Sequence, residues 1–406
     1  MRDASSKSRK LVLSLFQQAL TAVNGRGVVR DWLQKRPLPG PFHLVALGKA
    51  ADAMAAGALD AAGEALAAGL VVTRRGYLDT EAHRNPRVVS LEAGHPLPDQ
   101  QSLAAGNALE LFLDNAPVDA HFLFLVSGGT SSIVEAPVPG VSLEVLQQLN
   151  IWLLGSGLPI AEVNQVRAAL SRIKGGRLAR RLRGRPTTLL LMSDVPGDVV
   201  ADIGSGLLIP GEPRPLPTLP PRFATLPFQM EPVPPSPEVT SHIVASNTLA
   251  QEAVAQAARE QGMAAHTHAQ LPVIDAALCG EAIAHALHAA LAGVHVWGGE
   301  TTVTLPEHPG LGGRNQHLAL AAARVLVGHG DAVLLAAGTD GSDGASDDAG
   351  ALVDGGSVQR GVDAGYDAAD CLKRADSGHF LEASGDLVYT GPTGSNVMDL
   401  IIAVKE

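Results

Sequence analysis

Apolar residues recur at helical spacing over residues 11–23, and the pattern then changes to an unbroken run at 42–47, FHLVAL, which predicts a buried strand. The alanine-rich segment behind it predicts a helix, so Gly48-Lys49 occupies a turn at the carboxyl end of a strand. Further strands are predicted at 69–73, 87–90, 121–126 and 188–192, and helices at 101–113, 143–154, 160–171 and 176–182. Alternation of this kind predicts an α/β domain in which helices cover both faces of a parallel sheet, giving three layers.

Regular patterning stops at Pro210. Eleven prolines lie between residues 210 and 237, and because each removes a backbone donor the segment reads as a stiff surface crossing between domains. The chain then divides into residues 1–209, a proline-rich crossing at 210–238 and a second α/β domain at 239–406. In this second part strands are predicted at 242–245, 294–297 and 332–337, with 301–305 (TTVTL) continuing the middle one. Helices are predicted at 248–261, 281–292 and from Asn315 onward.

A chain of 406 residues exceeds one compact core, in keeping with two domains. Its 46% hydrophobic content is globular, and no apolar run is long enough to span a bilayer. The first twenty residues lack the pattern of a secretory leader, so a cytoplasmic location without membrane partners is expected. Cys279 and Cys371 fit no metal-ligand spacing and agree with a reducing compartment. A net charge of −11 with 3% aromatic residues argues against nucleic acid as a partner.

Residues 298–316, GGETTVTLPEHPGLGGRNQ, gather acid, hydroxyl, glycine and cation. Gly312 and Gly313 stand before the predicted helix, where free N–H groups and the helix dipole attract anions, and Arg314 adds a planar fork. A glycine-rich hairpin with a solvated arginine is the structural alternative. Ser127-Gly128-Gly129-Thr130-Ser131-Ser132 leaves a strand with unhindered N–H groups and four hydroxyls. That is the chemistry of a polyphosphate cradle, although the Walker A lysine is missing, and a flexible turn is the alternative. Lys49 stands either as a phosphoryl contact or as a snorkelling surface lysine.

Asp194 and Asp198 flank a Pro-Gly turn, and Asp340, Asp343, Asp347 and Asp348 crowd another. Such carboxylates suit Mg²⁺ bridged to phosphate, and they also suit plain turns. Eight basic residues fall between 167 and 185; a solvated face accounts for most, with Lys174, ahead of two glycines, kept as an anion contact. No GxGxxG follows a strand and no histidine pair forms HExxH, so neither a nicotinamide fingerprint nor a zinc site is expected.

Taken in order, several motifs carry a resemblance over nearly the whole chain. They are Gly48-Lys49-Ala50, the loop from Gly94-His95-Pro96 to Asp99, the Ser127 loop, Asn164 with Arg167, and Lys174-Gly175-Gly176-Arg177. Ser193-Asp194 through Asp198, Gly298-Gly299-Glu300, Gly312 through Gln316, Gly338-Thr339-Asp340-Gly341 with Asp343, and Gly391 through Asn396 complete the set. The chain resembles the class II glycerate kinases, whose C-terminal part is called the MOFRL domain and which phosphorylate D-glycerate to 2-phosphoglycerate. The resemblance implies a Rossmann-like N-terminal domain, a smaller C-terminal α/β domain of MOFRL type, and an active site in the cleft between them.

It further implies Lys49 and Arg314 facing that cleft, with ATP and Mg²⁺ as cofactors and D-glycerate as the small-molecule partner. On that reading Ser127, Gly128, Gly129, Thr130, Ser131 and Ser132 hold the nucleotide with Lys174, Gly312, Gly313, Asn315 and Asn396. Asp194, Asp198, Asp340 and Asp343 are the expected metal ligands, while Asp194 and Glu300 stand as alternatives for the base, and a homodimer is admitted as an assembly. The sequence departs from the family at Ser205-Gly206-Leu207-Leu208, where Ser-Gly-Pro-Thr is usual, at Ala168-Ala169 and at His317. These departures leave a kinase for a related hydroxy acid open. A hydroxypyruvate reductase is the second reading, against which the missing dinucleotide fingerprint counts.

Overall fold

Helices α1 (Arg2–Ala22) and α2 (Gly25–Lys35) precede a six-stranded sheet. Its strands are β1 (Phe42–Leu47), β2 (Leu66–Arg74), β3 (Val88–Ala93), β4 (His121–Val126), β5 (Thr187–Met192) and β6 (Val239–Ala245). The computed structural model describes residues 2–406, and in it these strands are all parallel in the order β3-β2-β1-β4-β5-β6. The chain moves outward from β1 to β3, then returns to lay β4 on the other side of β1. The carboxyl ends of β1 and β4 therefore form a topological switch point, where doubly wound sheets open a crevice for ligands.

The central strands are apolar on both faces because helices cover both. Phe42, Leu44, Phe122 and Phe124 are fully buried, and the crossovers carry α3 (Ala51–Ala62), α4 (Gln100–Asn115), α5 (Thr130–Ile133), α6 (Leu143–Gly155) and α7 (Ile160–Ala169). Helix α4 starts where sequence chemistry directs it, at a reciprocal capping box between Asp99 and Ser102. The expected parallel three-layer domain is thus present.

The second sheet contains β7 (Ala265–Thr267), β8 (Gly293–Gly299), β9 (Ala332–Gly338), β10 (Gly350–Asp354), β11 (Leu387–Val388) and β12 (Asp399–Lys405). Their order is β11-β10-β9-β12-β8-β7, antiparallel except for β7 beside β8. Helices α8 (Asn247–Glu260), α9 (Ala276–His288) and α10 (Arg314–Val325) surround it, followed by the short α11 (Ser357–Asp363), α12 (Ala368–Lys373) and α13 (Ser377–Ser384). Helices α9 and α10 pack on one face against Trp297, Leu334, Ala336 and Ile401. Helices α1 and α8 pack together and on the sheet, where the alternate positions Leu400 and Ile402 are fully buried.

The chain divides into two compact units, Asn24–Ala245 and Met1–Val23 with Ser246–Glu406. Two elements lie on the other side of the expected division. Strand β6, read from sequence as opening the second domain, pairs with β5 from Thr187 opposite Val239 onward. Helix α1 belongs with the second sheet: Val12, Leu15 and Ala19 are fully buried, Arg9 reaches Asp354 at 2.7 Å and Asp386 at 2.9 Å, and Ser8 donates to Glu406 at 2.6 Å.

The proline segment is consequently a loop within the first unit, leaving β5 and returning to the same sheet. It is pinned by Phe223, which is 2% exposed in a cluster with Leu146, Leu149 and Val166 of α6 and α7. Residues 301–305 form no strand beyond one bridge, Thr302 to Asp275, because their pairing partner is the loop before α9. Among the described residues no helix is long and apolar enough to cross a membrane.

The anchoring role of Phe223 is testable. Phe223→Ala should lower stability by about 3 kcal/mol and speed proteolytic cleavage within 210–238; an unchanged cleavage rate contradicts the anchor.

Candidate active site

In the first unit the site is built where β1 and β4 end. Ser127 N–H donates to Leu47 O at 3.0 Å, Lys49 N–H donates to Gly128 O at 2.9 Å, and the Ser127 hydroxyl accepts Ala50 N–H at 3.0 Å. These bonds join the two strand exits into one turn. Gly48 makes the join possible: its φ is +113°, and a Cβ there would lie 2.4 Å from Ser127 Oγ. Gly129, also left-handed at φ +84°, would bring a Cβ within 3.1 Å of Lys49 Cγ and 3.2 Å of His95 Cδ2. The half-buried Lys49, His95 and the Gly128-Gly129 backbone therefore converge on one spot.

The four hydroxyls of the loop divide by role. Ser127 is fully buried and structural, Thr130 Oγ1 donates to Ser127 O at 2.7 Å, and Ser132 Oγ donates to Gly129 O at 3.2 Å. Ser131 is shared outward: its Oγ lies 2.6 Å from Ser205 Oγ, which donates to Asn164 Oδ1 at 3.0 Å. Asn164 in turn donates to Asp202 Oδ1 at 3.2 Å. Asp194 follows β5, half-buried, and Asp198 has a φ of 54° past the Pro196-Gly197 turn.

Lys174 is not presented to a ligand. It is fully buried and ion-paired with Glu135, which also accepts from Ser171 at 2.8 Å. Burial pulls its ammonium below the ordinary lysine range against the attraction of Glu135. The cation that sequence placed at an anion contact is therefore part of an internal network. Arg167 stands nearby, its Nε donating to Asn150 Oδ1 at 3.0 Å.

In the second unit Arg314 opens α10 and is held from two sides. Nε donates to Asp399 Oδ2 at 2.5 Å, and Nη2 donates to Asp399 Oδ1 at 3.0 Å and to Glu300 Oε1 at 2.6 Å. Burial disfavours its charge, but Asp399 and Glu300 outweigh this and raise it well above the ordinary arginine range. Its side chain remains 34% exposed, so a ligand can reach it. Asp399 sits opposite Gly299 on β8 and Gly338 on β9.

The glycines before Arg314 serve this arrangement. Asp343 accepts Asn315 N–H at 3.0 Å, Asn315 Nδ2 at 3.2 Å and Gln316 N–H at 2.8 Å, capping α10 from a distant loop. A Cβ at Gly313 would lie 2.3 Å from the Asp343 carboxylate, so the cap requires glycine there. Asn315 and Asp343 thus serve structure, while Asp340 Oδ1 accepts from Ser342 N–H at 3.0 Å. Asn396 is buried between Ser395 and Val397. The anion-binding reading of this helix start is narrowed to Arg314, since Asp343 already occupies the Asn315 and Gln316 N–H groups.

Among the described residues no group of three or more His, Cys, Asp or Glu side chains is placed to hold a metal ion. Of the expected ligands, Asp343 is committed to capping α10, whereas Asp194 and Asp198 stand together on the loop after β5. Sequence reading missed Asp399, whose signal is an acid at the head of the apolar run LIIAV. It also passed over His95 and Ser205 as site residues, and for Ser205 the signal was its place in a changed motif.

Two outcomes follow. Lys174→Met should cost about 3 kcal/mol in urea unfolding by stranding Glu135, with kcat/KM per folded molecule near wild type; an intact stability with a raised KM would restore the anion-contact role. Burial, with the Asp399 charge adding, pushes Asp343 up to about 7 against the pull of Gln316 and Asn315 N–H. Because this exceeds the unfolded value of about 3.9, its contribution to stability is fully present below about pH 4 and is lost as pH rises through about 7. Melting temperatures should carry that downward slope, and Asp343→Asn should reduce it; an identical slope in the variant contradicts the assignment.

Comparison with known proteins agrees with both units. Residues 11–215 match a domain of unknown function, DUF4147, and residues 293–399 match the MOFRL family. The D-glycerate 2-kinase of Thermotoga maritima is 35% identical, with 98% of each chain covered. A protein of Agrobacterium vitis with a provisional hydroxypyruvate reductase name is 35% identical over 97% of this chain and 93% of its own. The crystal structure of a Thermotoga maritima glycerate kinase superposes with a TM-score of 0.83 at 33% identity, covering 99% of this chain and 100% of that one. The chain belongs to the glycerate kinase family that contains the MOFRL domain.

Proposed function

We propose that the chain transfers the γ-phosphoryl group of ATP to the 2-hydroxyl of D-glycerate, giving 2-phosphoglycerate and ADP. The observation that carries this reading is the joined turn at the switch point, where Lys49, His95 and the Gly128-Gly129 backbone converge. Phosphoryl transfer depends on positioning and charge neutralisation more than on covalent chemistry. The Ser127 loop supplies backbone N–H groups for the nucleotide phosphates, and Lys49 neutralises the moving phosphoryl group.

Arg314, fixed by Asp399 and Glu300, receives the glycerate carboxylate. Its three bonds to these acids use Nε and Nη2. Glu300 therefore acts as the residue that orients Arg314, and Asp194 takes the proton of the 2-hydroxyl as the new O–P bond forms and the β–γ bond breaks. Magnesium belongs to the nucleotide as a substrate complex. The protein is expected to work in the cytoplasm on soluble substrates.

A coupled assay across glycerate, hydroxypyruvate and tartronate, scored separately for ADP and for NADH oxidation, tests the reaction class. ADP release with D-glycerate and no change in nicotinamide absorbance is expected, since Gly48-Lys49-Ala50 lacks a dinucleotide fingerprint. NADH oxidation with hydroxypyruvate would replace the kinase reading. Lys49→Ala and Arg314→Ala should each lower kcat/KM by at least about 30-fold, or ~2 kcal/mol; near-wild-type turnover in either removes that residue from the mechanism.

A further inference from the structure

A cavity of about 480 Å³ lies within the first unit, beside the Ser127 loop. Asn164 and Ala168 of α7 line one wall, Ala201, Asp202 and Ser205 a second, and the two ends of the proline segment a third. Its size falls within the about 300–1,000 Å³ of small-molecule sites. Ser205 ties it to the loop, because its hydroxyl lies 2.6 Å from Ser131 Oγ. A ligand in the cavity therefore ends one side chain, Ser205, short of the proposed phosphate loop.

The lining chemistry selects the kind of ligand. Three carboxylates, Asp202, Glu212 and Glu231, face two arginines. Arg177 already donates to Ala168 O at 2.7 Å, Lys174 O at 3.3 Å and Gln229 O at 2.8 Å. A wall of this balance repels phosphate, whereas carboxylates accept from sugar hydroxyls. Gln165, Asn164 and Gln229 add amides, and Val199, Met230 and Val233 add apolar surface for a flat ring. We infer that this cavity takes the nucleoside of the phosphoryl donor, adenine with its ribose, while the phosphates leave past Ser205 toward the Ser131 end of the loop.

This rests on the kinase reading and names its nucleotide subsite. It also gives the proline segment a task, since Phe223 anchors the loop whose two ends form a wall of the cavity. The altered Ser205-Gly206-Leu207-Leu208 motif then bears on the nucleotide and not on the acid acceptor. Gly175 N–H donates to Ser205 O at 3.0 Å, which fixes that serine in place.

Two measurements test the inference. The first fills the cavity with Ala161→Trp or Ala201→Leu and follows ADP binding by calorimetry, together with KM for ATP and for glycerate. ADP affinity should fall by at least about tenfold, with KM for ATP rising in step, while KM for glycerate and inhibition by tripolyphosphate stay within twofold of wild type. Unchanged ADP affinity in a folded variant overturns the inference and leaves the kinase reading standing; wild-type protein that turns over no ATP with glycerate fails that reading instead. The second needs no variant: 8-azido-ATP on the wild-type protein should label peptides containing 161–169 or 229–233, and labelling confined to other peptides overturns the assignment.

Discussion

The Ser127 hydroxyl, accepting the Ala50 N–H, is the interaction on which the rest of the first unit depends. With the bond from Lys49 N–H to Gly128 O it joins the exits of β1 and β4, the two strands between which the chain reverses direction. A parallel sheet opens a crevice at such a reversal whatever its sequence. What this sequence adds is closeness: Gly48 removes a side chain that would overlap Ser127, and the turn then delivers a lysine and a run of small residues to the same place. Fold supplies the position, and one hydrogen bond with one glycine brings the proposed site residues together there.

The second unit solves a different problem. A guanidinium at a helix start is opposed by the helix dipole, yet Arg314 is held there by Asp399 and Glu300, with Asp343 capping the helix beneath it. The Asp399 interaction closes across 85 residues, and the Asp343 cap across 28. Arg314 is therefore a pre-oriented charge, which suits the carboxylate contact proposed for it. The same geometry gives Asp343, which looks like a metal ligand in sequence, the work of capping a helix, while Asp399 and Glu300 hold an arginine.

Much of this was legible in the chain before any coordinates. Strand β4 spans the residues that the apolar run predicts, and β1 likewise, because buried parallel strands announce themselves as uninterrupted apolar segments. The places of Lys49 at a turn and of Arg314 at a helix start are readable too. The buried fate of Lys174 was not, since its partner Glu135 is 39 residues away and nothing local signals the pair. Asp399 escaped for the same reason. Strand β6 and helix α1 were assigned by nearness in sequence, whereas their pairing is decided by which sheet edge or face stands open; a proline-rich loop returning to its own sheet looks, in one dimension, like a linker.

The most direct test of the central claim is amide hydrogen exchange with and without ATP, read at the joined turn. Saturating ATP should slow exchange in the peptide covering 127–132, since the phosphates would take up the N–H groups of Gly128 and Gly129. Exchange there that is unchanged by ATP, with protection appearing only elsewhere in the chain, would contradict the placement of the phosphate site at the reversal point of the sheet.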